Sequence, residues 1–389
     1  MGLKLSYALS DLKKLFKKHL SLDDYQIIDV IMAVVVANFF QTDPLWLLII
    51  GASSSAKTEL LNTLDGLQFT YFISDMTTKT LISGKENASL LPELNNKIVI
   101  MKDFTTILSK RADDLKIIMA QWREVYDGKV SNMYGTGGTS AKVVWTGHVG
   151  LVGACTPVYD RKHGVISQMG ERFLLYRNTN KKDLDAGLRS LSCFGCETTM
   201  RDELKQAVEK FLNQFQDVEL TVPNLSDDLK HRIVALASLC GHGRCHVHRD
   251  PYSKDEITYL PEPEGSPRLA KQLFHLGIAL MAVNGATEIT DDIYQILLKV
   301  GRDLVPKIRF KCLRYLWDEK AIVANWVFVT TNEVATGIDI NGKTVLRALQ
   351  DMAIVGLAKS HLDEKRHGSP YIWALTEKAV NLIGWSDFF

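Results

Sequence analysis

The sequence is poor in features that would tie the chain to one special environment. Six cysteines among 389 residues are too few for a disulfide framework, so we expect a reducing compartment, the cytoplasm. No basic segment followed by a cleavage site opens the chain, so we expect no signal peptide. The most apolar run, residues 27–40, is too short to cross a bilayer and contains Asp29 and Asn38. We therefore expect no contact with a membrane.

An excess of charge of one sign is also lacking. Lys and Arg number 46 against 45 Asp and Glu, which gives a formal net charge of +1. This balance excludes attraction to nucleic acid by bulk charge, so any such site must be a local patch. The hydrophobic fraction of 46% is ordinary for a globular protein. The length of the chain predicts two or three domains.

One stretch organises the rest of the chain. Residues 47–50 are apolar, residues 51–56 are small, and Lys57 and Thr58 precede a helical leucine pattern. This order matches G-x-x-x-x-G-K-[ST] except at Ala56, which replaces the last Gly. The pattern predicts a buried strand, a loop whose N–H groups surround phosphates, and a helix. Lys57 would reach the β- and γ-phosphates of ATP, and Thr58 would hold Mg²⁺.

The residues of this stretch predicted to bind the nucleotide are Gly51, Ala52, Ser53, Ser54, Ser55, Ala56, Lys57, Thr58 and Glu59. The alternative is a Ser-rich turn before an ordinary helix.

Two further polar residues follow apolar stretches. Residues 98–101 are four apolar residues in a row, as in a strand covered on both faces, and Asp103 comes just after them. Ligands of open α/β sheets bind at the carboxyl ends of the strands, so Asp103 is placed to hold Mg²⁺ directly or through water. The alternative is that Asp103 caps the next helix. Thr156 follows residues 149–155 and is placed to orient a water or to contact the γ-phosphate.

The patterns divide the chain into three parts. Residues 1–180 predict an α/β nucleotide-binding core with a parallel sheet, with helices in its first 40 residues and a β-hairpin at 129–145. Residues 181–305 are mostly helical and predict a helical lid. Residues 306–389 predict three helices and a hairpin, which is a winged helix-turn-helix. We expect Ser21 to cap the second helix of the core.

Cationic residues in the C-terminal part suit contact with DNA. In its third helix Lys343, Arg347 and Gln350 are predicted to face outward. Lys365 and Arg366 lie in the loop between the two strands, the wing. An exposed basic helix and a basic wing suit contact with phosphates and a groove of duplex DNA. The alternative is that this part is a protein–protein module.

A group of cysteines and histidines allows a zinc site. Cys193 and Cys196 have the spacing of half a structural site, and residues 240–248 supply further Cys and His about forty residues later. The flanking stretches are helical, so small buried thiols are the alternative. The alternation around Val247 predicts a short strand with two histidines on one face.

Together these pieces resemble the AAA+ ATPases, and within them the clade of the minichromosome maintenance (MCM) replicative helicases and the MCM-like proteins of bacterial mobile elements. The resemblance covers roughly residues 20–389. Through it Gly51, Lys57 and Thr58 are similar to the Walker A motif and Asp103 to the Walker B acid.

The same resemblance implies roles for residues that the patterns alone do not assign. Thr156 stands where the family has its polar sensor 1 residue, normally Asn. Arg172 looks like the arginine finger, which reaches the γ-phosphate of the neighbouring subunit, and Arg268 looks like sensor 2. The hairpin resembles the pre-sensor-1 hairpin that grips DNA in a central pore, and Lys129 and Lys142 are its cations.

Three departures from the family pattern bear on activity. Ala56 adds a methyl group near the phosphates. Lys102-Asp103-Phe104 stands where the family has Asp-Glu-Phe, so Asp103 can serve as base, metal ligand or both. About fifty residues precede Gly51, too few for the family's DNA-binding collar, which argues against independent unwinding.

The resemblance implies an ATP-dependent DNA motor. It would be a helicase that works as a ring of six identical subunits, with ATP and Mg²⁺ bound at the interfaces, single-stranded DNA in the pore and duplex DNA at the winged helix. An alternative is a nucleotide-switched AAA+ module that loads or regulates a replication or transposition partner protein without unwinding. A third possibility is a signal-transducing ATPase whose winged helix binds protein.

Overall fold

A computed structural model of the chain describes most of its residues. The described stretches are 5–40, 42–83, 89–136, 139–168, 170–179, 183–218, 222–250, 252–253, 256–363 and 370–389. Contacts divide the chain into two compact units: unit 1 holds residues 1–223 and 275–296, and unit 2 holds residues 224–274 and 297–389. This grouping differs from the predicted domains 1–180, 181–305 and 306–389, which stay predictions.

Unit 1 begins with two helices and then mixes strands with helices. Its strands are β1 (Trp46–Ile50), β2 (Thr70–Phe72), β3 (Lys97–Met101), β4 (Lys129–Thr136), β5 (Thr139–Thr146), β6 (Val149–Cys155) and β7 (Phe173–Arg177). Its helices are α1 (Leu9–His19), α2 (Gln26–Ala37), α3 (Lys57–Asn62), α4 (Thr105–Leu108), α5 (Ala112–Tyr126), α6 (Val158–Gln168), α7 (Asp183–Ser192) and α8 (Glu197–Leu212). Single 3₁₀ turns cover Leu91–Leu94 and Asn213–Phe215.

Five strands of the described chain form one parallel sheet. Their order is β2-β3-β6-β1-β7. β1 is internal, because Trp46 pairs with Leu151 of β6 on one side and with Phe173 of β7 on the other. Every residue of β1 and β6 is buried, as expected for strands covered on both faces. The prediction of an α/β fold with a parallel sheet is confirmed.

The sheet has two edges of different character, and β1 defines them. We call the side where its strands begin, at Trp46, the amino edge, and the side where they end, at Ile50, the carboxyl edge. At the amino edge the ring of Trp46 lies 5.4 Å from Trp122 and 5.1 Å from Tyr126 between ring centres. Its indole N–H donates to the carbonyl of Val149 at 2.8 Å. The amino edge is therefore held by aromatic packing.

The N-terminal helices pack onto this core. Residues 27–37 of α2 are all buried, including Asp29, which is 3% exposed. The Asp29 carboxylate accepts a hydrogen bond from Lys13 of α1 at 2.6 Å. Burial raises the pKa of Asp29, although the Lys13 ammonium opposes that effect. This partly buried ion pair ties α1 to α2.

The start of α2 corrects one prediction. Ser21 was expected to cap this helix, but α2 begins at Gln26, five residues later in the chain. The carboxylate of Asp24 accepts from the Gln26 N–H at 2.8 Å. The N-cap residue of α2 is Tyr25, so the expected cap at Ser21 was wrong. Helix α6 has no counterpart in the prediction.

The predicted hairpin at 129–145 is present as the antiparallel pair β4 and β5. Lys129 pairs with Thr146, and Met133 pairs with Lys142. The two residues at its tip, 137 and 138, lie outside the described part of the chain, as does the side chain of Lys142. The observed bounds confirm the predicted hairpin.

Unit 2 is mainly helical and ends in a small sheet. Its further helices are α9 (Asp227–Arg244), α10 (Ser266–Val283), α11 (Asp291–Leu304), α12 (Lys307–Asp318), α13 (Thr331–Gly337), α14 (Gly342–Ile354) and α15 (Glu377–Ser386), and α10 and α11 contribute residues to both units. Its strands are β8 (Val329–Thr330), β9 (Ala358–Leu362) and β10 (Tyr371–Leu375), and a 3₁₀ turn covers Val323–Asn325.

The three strands of unit 2 form an antiparallel sheet in the order β8-β10-β9. The three predicted C-terminal helices and the two predicted strands are present. Strand β8 and helix α15 were not predicted. Thr330 caps α13 in a capping box with Glu333, a pairing that fixes where this helix starts.

The expected short strand around Val247 is absent from the described residues. Residues 245–248 are irregular, and only Arg249 forms an isolated bridge, with Ile257. The rings of His246 and His248 nevertheless meet, with centres 4.6 Å apart. The two histidines are therefore neighbours without a strand to align them.

No helix in the described part of the chain is both long enough and apolar enough to span a membrane.

Candidate nucleotide site

Three of the polar residues predicted from the sequence, Lys57, Asp103 and Thr156, lie at the carboxyl edge. Because the strands are parallel, the segments after β1, β3, β6 and β7 meet there. The N–H of Gly51 donates to the carbonyl of Cys155 at 3.1 Å, and that of Asn178 donates to Ile50 at 2.8 Å. The N–H of Phe104 donates to Ala154 at 2.6 Å. These bonds join the four segments directly.

Residues 51–58, the 51–58 loop, form a tight turn that only Gly51 allows. A Cβ at this position would lie 2.7 Å from the hydroxyl of Ser55 and 3.0 Å from the carbonyl of Asn178. The Asn178 amide donates to the Ser55 carbonyl at 2.6 Å, and the Ser55 hydroxyl donates to Ala52 at 2.7 Å. The loop is therefore held in shape by its own residues and by the residue after β7.

Ala56 has the left-handed conformation, with φ 59° and ψ 7°. That conformation costs a residue with a Cβ about 1–2 kcal/mol, and it costs glycine much less. The backbone here therefore explains why the sequence pattern asks for Gly. Ala56 keeps the loop shape and carries strain.

The Lys57 side chain folds back over the loop. Its ammonium donates to the carbonyls of Gly51 at 2.8 Å and Ala52 at 2.5 Å, and to the Ser55 hydroxyl at 2.9 Å. Burial lowers the pKa of Lys57, and the nearby Cys155 and Asp103 partly offset this. A desolvated cation that donates to weak carbonyl acceptors is suited to exchange them for an anion.

Asp103 and Thr156 lie at the same edge as Lys57. Asp103 is exposed, and its Oδ1 accepts from the N–H of Thr105 at 3.0 Å. The N–H of Thr156 donates to the hydroxyl of Thr105 at 3.1 Å. A local hydrogen bond of Asp103 at the start of α4 is therefore present, although the N-cap residue of that helix is Phe104. It does not exclude metal binding, because a carboxylate has more than one acceptor site.

Lys102, beside Asp103, is engaged elsewhere. Its ammonium lies 3.4 Å from Asp65 and 4.6 Å from the centre of the Phe72 ring. These partners lie toward β2, so the cation is paired away from the Asp103 carboxylate.

Arg172 lies at the opposite edge of the sheet. It precedes β7, whose first residue, Phe173, pairs with Trp46. Strands rise about 3.3 Å per residue, so the length of β1 places Arg172 roughly 16 Å from the 51–58 loop of its own chain. Its side chain is 12% exposed, pairs with Asp127 at 3.4 Å and lies 5.4 Å from the centre of the Tyr126 ring.

A cavity of about 340 Å³ opens beside the 51–58 loop. This volume lies in the range of ligand pockets, roughly 300–1,000 Å³. Its lining comprises residues 19–23, 54–59, Asn178, Thr179, Ala186, Arg189, Ser190, Cys193, Glu197, Met200 and Arg201. The wall opposite the loop is therefore made by the end of α1, the segment before α2, and helices α7 and α8.

Several of these lining residues were missed by the sequence reasoning. Arg201 of α8 binds Glu59 through two hydrogen bonds, of 2.7 and 2.9 Å. Arg189 of α7 donates to the carbonyls of Lys17 and Lys18, at 2.5 and 2.9 Å. Asn178 could have been found, because it follows an apolar strand as Asp103 and Thr156 do. The arginines gave no signal, since charged residues on an amphipathic helix are ordinary.

Arg268, predicted as sensor 2, belongs to unit 2. It lies in the first turn of α10, where Glu264 accepts its hydrogen bond at 2.5 Å. The same carboxylate accepts from Arg244 at 2.7 Å. Within unit 2, Arg268 is therefore part of a three-residue ion network.

The residues predicted to contact DNA have mixed surroundings. Lys129 and Lys343 are exposed, whereas Arg347 is half-buried. Gln350, expected to face outward beside Arg347, is half-buried and accepts from Arg249 at 3.3 Å. The outward face expected for α14 is therefore partly covered.

The two cations predicted for the wing, Lys365 and Arg366, lie outside the described residues.

Two ion pairs to Asp351 cover the side of α14 that carries Gln350. Asp351 accepts from Arg249 at 2.7 Å and from Arg309 of α12 at 2.9 Å. All three side chains are at most 17% exposed. Removing one arginine would leave the buried carboxylate undercompensated, so this network fixes α14 to the rest of unit 2.

No group of three or more metal-ligating side chains is present among the described residues. Cys240 is buried, donates to the carbonyl of Gly301 at 3.2 Å, and burial raises its pKa to about 12. Such a thiol behaves as a small core residue. Cys196 is exposed and Cys193 half-buried.

Neither a comparison with protein-family models nor one with curated proteins finds a match to this chain. The functional assignment therefore rests on the site itself.

Proposed function

We propose that this protein is an ATP-dependent DNA motor, an AAA+ ATPase similar to the MCM-like helicases. The observation that carries the proposal is the 51–58 loop at the end of an internal parallel strand. Its lysine is held over the loop by weak acceptors, Asp103 lies within electrostatic range, and a cavity of about 340 Å³ adjoins it. This arrangement suits a triphosphate whose phosphates displace the loop carbonyls from Lys57.

The residues present fit a bound Mg²⁺. This ion prefers hard oxygen ligands and keeps several waters. The hydroxyl of Thr58 and the carboxylate of Asp103 are such ligands, and both residues are exposed at the carboxyl edge. When bound, the ion neutralises charge that develops on the phosphates.

In this proposal each remaining residue has a defined role. Residues 51–59 hold the triphosphate through backbone N–H groups and Lys57. Asp103 accepts the proton of the attacking water, holds the metal ion, or does both. Thr156 orients that water. By the resemblance Arg268 has the role of sensor 2.

The position of Arg172 supports hydrolysis between subunits. It lies at the amino edge, roughly 16 Å from the loop of its own chain, so only a second chain could bring an Arg172 to that loop. An arginine supplied this way stabilises transition-state charge and is worth about 10³–10⁵ in rate. The residue would have to exchange Asp127 for the phosphate. A homo-oligomer, and by the resemblance a hexameric ring, follows from this role.

An exposed apolar face on α7 also supports a partner subunit. Leu184, Leu188, Leu191 and Phe194 are 83%, 65%, 74% and 84% exposed. The three leucines recur at helical spacing in α7, Phe194 comes two residues after the helix ends, and α7 also lines the cavity. Contiguous exposed apolar surface of this kind marks an interaction site.

Contact with DNA is proposed at two places. The β4–β5 hairpin, with Lys129 and Lys142, would contact single-stranded DNA in the pore. Helices α12, α13 and α14 followed by the β9–β10 pair support a winged helix-turn-helix. There Lys343 and Arg347, together with Lys365 and Arg366, would contact duplex DNA through its phosphates.

The central test is ATPase activity with and without single-stranded DNA, together with strand displacement on a forked duplex. We expect DNA-stimulated hydrolysis and ATP-dependent displacement, both lost in Lys57→Ala. Hydrolysis stimulated by DNA without displacement would contradict the motor. Hydrolysis that DNA does not affect would contradict a DNA function altogether.

One observation favours a second candidate, a nucleotide-switched loader or regulator of a replication partner. Asp103 is a single acid that makes a local bond to Thr105, and Lys102 occupies the neighbouring position. A site with one carboxylate suits slow hydrolysis and a long-lived bound state. DNA-stimulated hydrolysis without displacement is the result that this candidate predicts.

The subunit-sharing model has its own test. Arg172→Ala should abolish hydrolysis and leave ATP affinity unchanged. Arg172→Ala and Lys57→Ala proteins should each be inactive alone, but a mixture of the two should regain part of the activity. At a mixed interface, the intact loop of one chain can meet the intact arginine of the other. Full ATPase activity of Arg172→Ala alone would defeat this model.

A further inference from the structure

The pair between Arg201 and Glu59 joins the 51–58 loop region to α8 at the rim of the cavity. The Nε and Nη2 of Arg201 bind the two carboxylate oxygens of Glu59 at 2.9 and 2.7 Å. Glu59 directly follows Thr58, and the side chains of Arg201 and Glu59 are 48% and 25% exposed. The pair therefore lies where the cavity meets solvent, next to the proposed phosphate position.

Three other arginines are held by different partners. Arg172 lies at the amino edge of the sheet and is packed on Tyr126. Arg268 belongs to unit 2 and pairs with Glu264. Arg189 lines the cavity, but its guanidinium is occupied by two main-chain carbonyls at the end of α1. Among the described lining residues, Arg201 is the arginine whose fork is held by a side-chain carboxylate.

A guanidinium fork binds carboxylates and phosphates with the same two-point geometry. The carboxylate of Glu59 thus occupies Arg201 in the way that a phosphate could. Arg201 and Lys57 line the same cavity, so an anion held there by Lys57 lies in the cavity that Arg201 also lines. A half-exposed pair of this kind contributes little stability, so its exchange costs little.

We propose that Arg201 exchanges Glu59 for the γ-phosphate of a bound nucleoside triphosphate, and that it thereby distinguishes triphosphate from diphosphate. Glu59 is then a competitor that holds Arg201 when no γ-phosphate is present. This inference rests on the proposed function, because it requires a triphosphate in the 51–58 loop.

The two partners should have opposite effects on binding. Arg201→Ala removes the cation and should weaken binding of a non-hydrolysable Mg²⁺–ATP analogue about tenfold, the equivalent of one charge-assisted hydrogen bond. Glu59→Gln removes the competitor and should tighten binding of the same analogue several-fold. Neither change should alter the affinity for Mg²⁺–ADP by more than about twofold. If the ion pair were merely structural, both variants would change the affinity in the same direction, and they would do so for both nucleotides.

The experiment measures the Kd of both nucleotides by titration calorimetry for the full chain and its variants. Lys205→Ala, which removes another cation of α8 outside the cavity lining, should bind both nucleotides like the unmodified protein. Unchanged triphosphate binding by Arg201→Ala, or weakened binding by Glu59→Gln, would overturn the inference. Absence of binding by the unmodified chain, or full binding by Lys57→Ala, would overturn the proposed function itself.

Discussion

The two edges of the parallel sheet are built on different principles. At the amino edge Trp46 packs among other aromatic rings, and its only polar atom is hydrogen-bonded to Val149. At the carboxyl edge Lys57 and Ser55 hydrogen-bond to the backbone of their own loop, and Ala56 holds a strained conformation beside an open cavity. The amino edge is packed with aromatic rings, whereas the carboxyl edge is a hydrogen-bonded loop beside a cavity.

The two edges should therefore contribute differently to stability and to nucleotide binding. Burial of apolar rings contributes to the free energy of unfolding. Self-satisfied polar groups around a cavity contribute less, because they exchange water for weak neutral partners. Changes at the amino edge should therefore reduce stability and leave nucleotide affinity per folded molecule intact. Changes at the carboxyl edge should mainly reduce nucleotide affinity and should affect stability less than changes at the amino edge do.

The largest expected effect on stability is at Trp46. Trp46→Ala should lower the free energy of unfolding by about 3–5 kcal/mol, because it leaves a large cavity and an unpaired buried carbonyl at Val149. Urea denaturation followed by circular dichroism measures this. Trp385→Ala, at a tryptophan that is 61% exposed, is the matched control and should change stability by less than about 0.5 kcal/mol. Equal losses of stability in the two variants would show that aromatic packing at the amino edge contributes no more than an exposed tryptophan does.

The next effect is a pH dependence of stability near the amino edge, where His275 of α10 contacts Thr42 at 3.1 Å, four residues before β1. Burial, and then the charge of His148, lowers the pKa of His275 to about 4. Unfolded histidine has a pKa of about 6.5, so the unfolded chain binds the extra proton first as the pH falls. The stability that this neutral histidine contributes is fully present above pH 6.5 and is lost toward pH 4, by about 3 kcal/mol.

Urea titrations of the unmodified chain and of His275→Gln between pH 7 and pH 4.5 measure this contribution. The difference between the two unfolding free energies should shrink as the pH falls. A constant difference over this range would show that His275 is not held neutral by burial.

Gly51→Ala tests the carboxyl edge, because it changes the shape of the 51–58 loop. The added methyl group would lie 2.7 Å from the Ser55 hydroxyl, so we expect a loss of about 1–3 kcal/mol by overpacking and a much larger loss of nucleotide affinity. Gly187→Ala is the control, because a Cβ there meets nothing within 4 Å and the position is helical. Retained nucleotide binding in Gly51→Ala would mean that the loop shape is not needed.

The smallest expected effect is at Ala56. Ala56→Gly should raise the free energy of unfolding by roughly 0.5–1 kcal/mol, because it removes left-handed strain and costs some chain entropy. It should also improve nucleotide binding by removing a methyl group from the phosphate loop. Thermal unfolding and calorimetry measure the two quantities. A destabilised Ala56→Gly protein would show that the methyl group makes useful contacts.

The sequence predicted the parts of the site that follow from strand position. β1, β3, β6 and β7 are continuous apolar stretches because both faces are covered, and Asp103 and Thr156 were found because they follow such stretches. Arg201 was not found, because its pairing with Glu59 depends on how α8 packs.

Predictions made from local sequence alone failed where another residue, nearby or distant in the chain, determined the structure. Ser21 was expected to cap α2, but the N–H of Gln26 donates to Asp24 instead. His246 and His248 were placed on a strand, but their rings meet across irregular backbone. The covered side of α14 depends on Arg249, which is about one hundred residues away in the chain.

The most direct test of the account is equilibrium binding of Mg²⁺–ATP to the full chain and to Lys57→Ala. We expect one binding site per chain, which is lost in Lys57→Ala. The free energy of unfolding of the variant should stay within about 1 kcal/mol of the unmodified protein, because Lys57 is a partly desolvated cation with weak partners. Absence of binding by the unmodified chain, or equal affinity in both proteins, would contradict the assignment of the 51–58 loop as a nucleotide site.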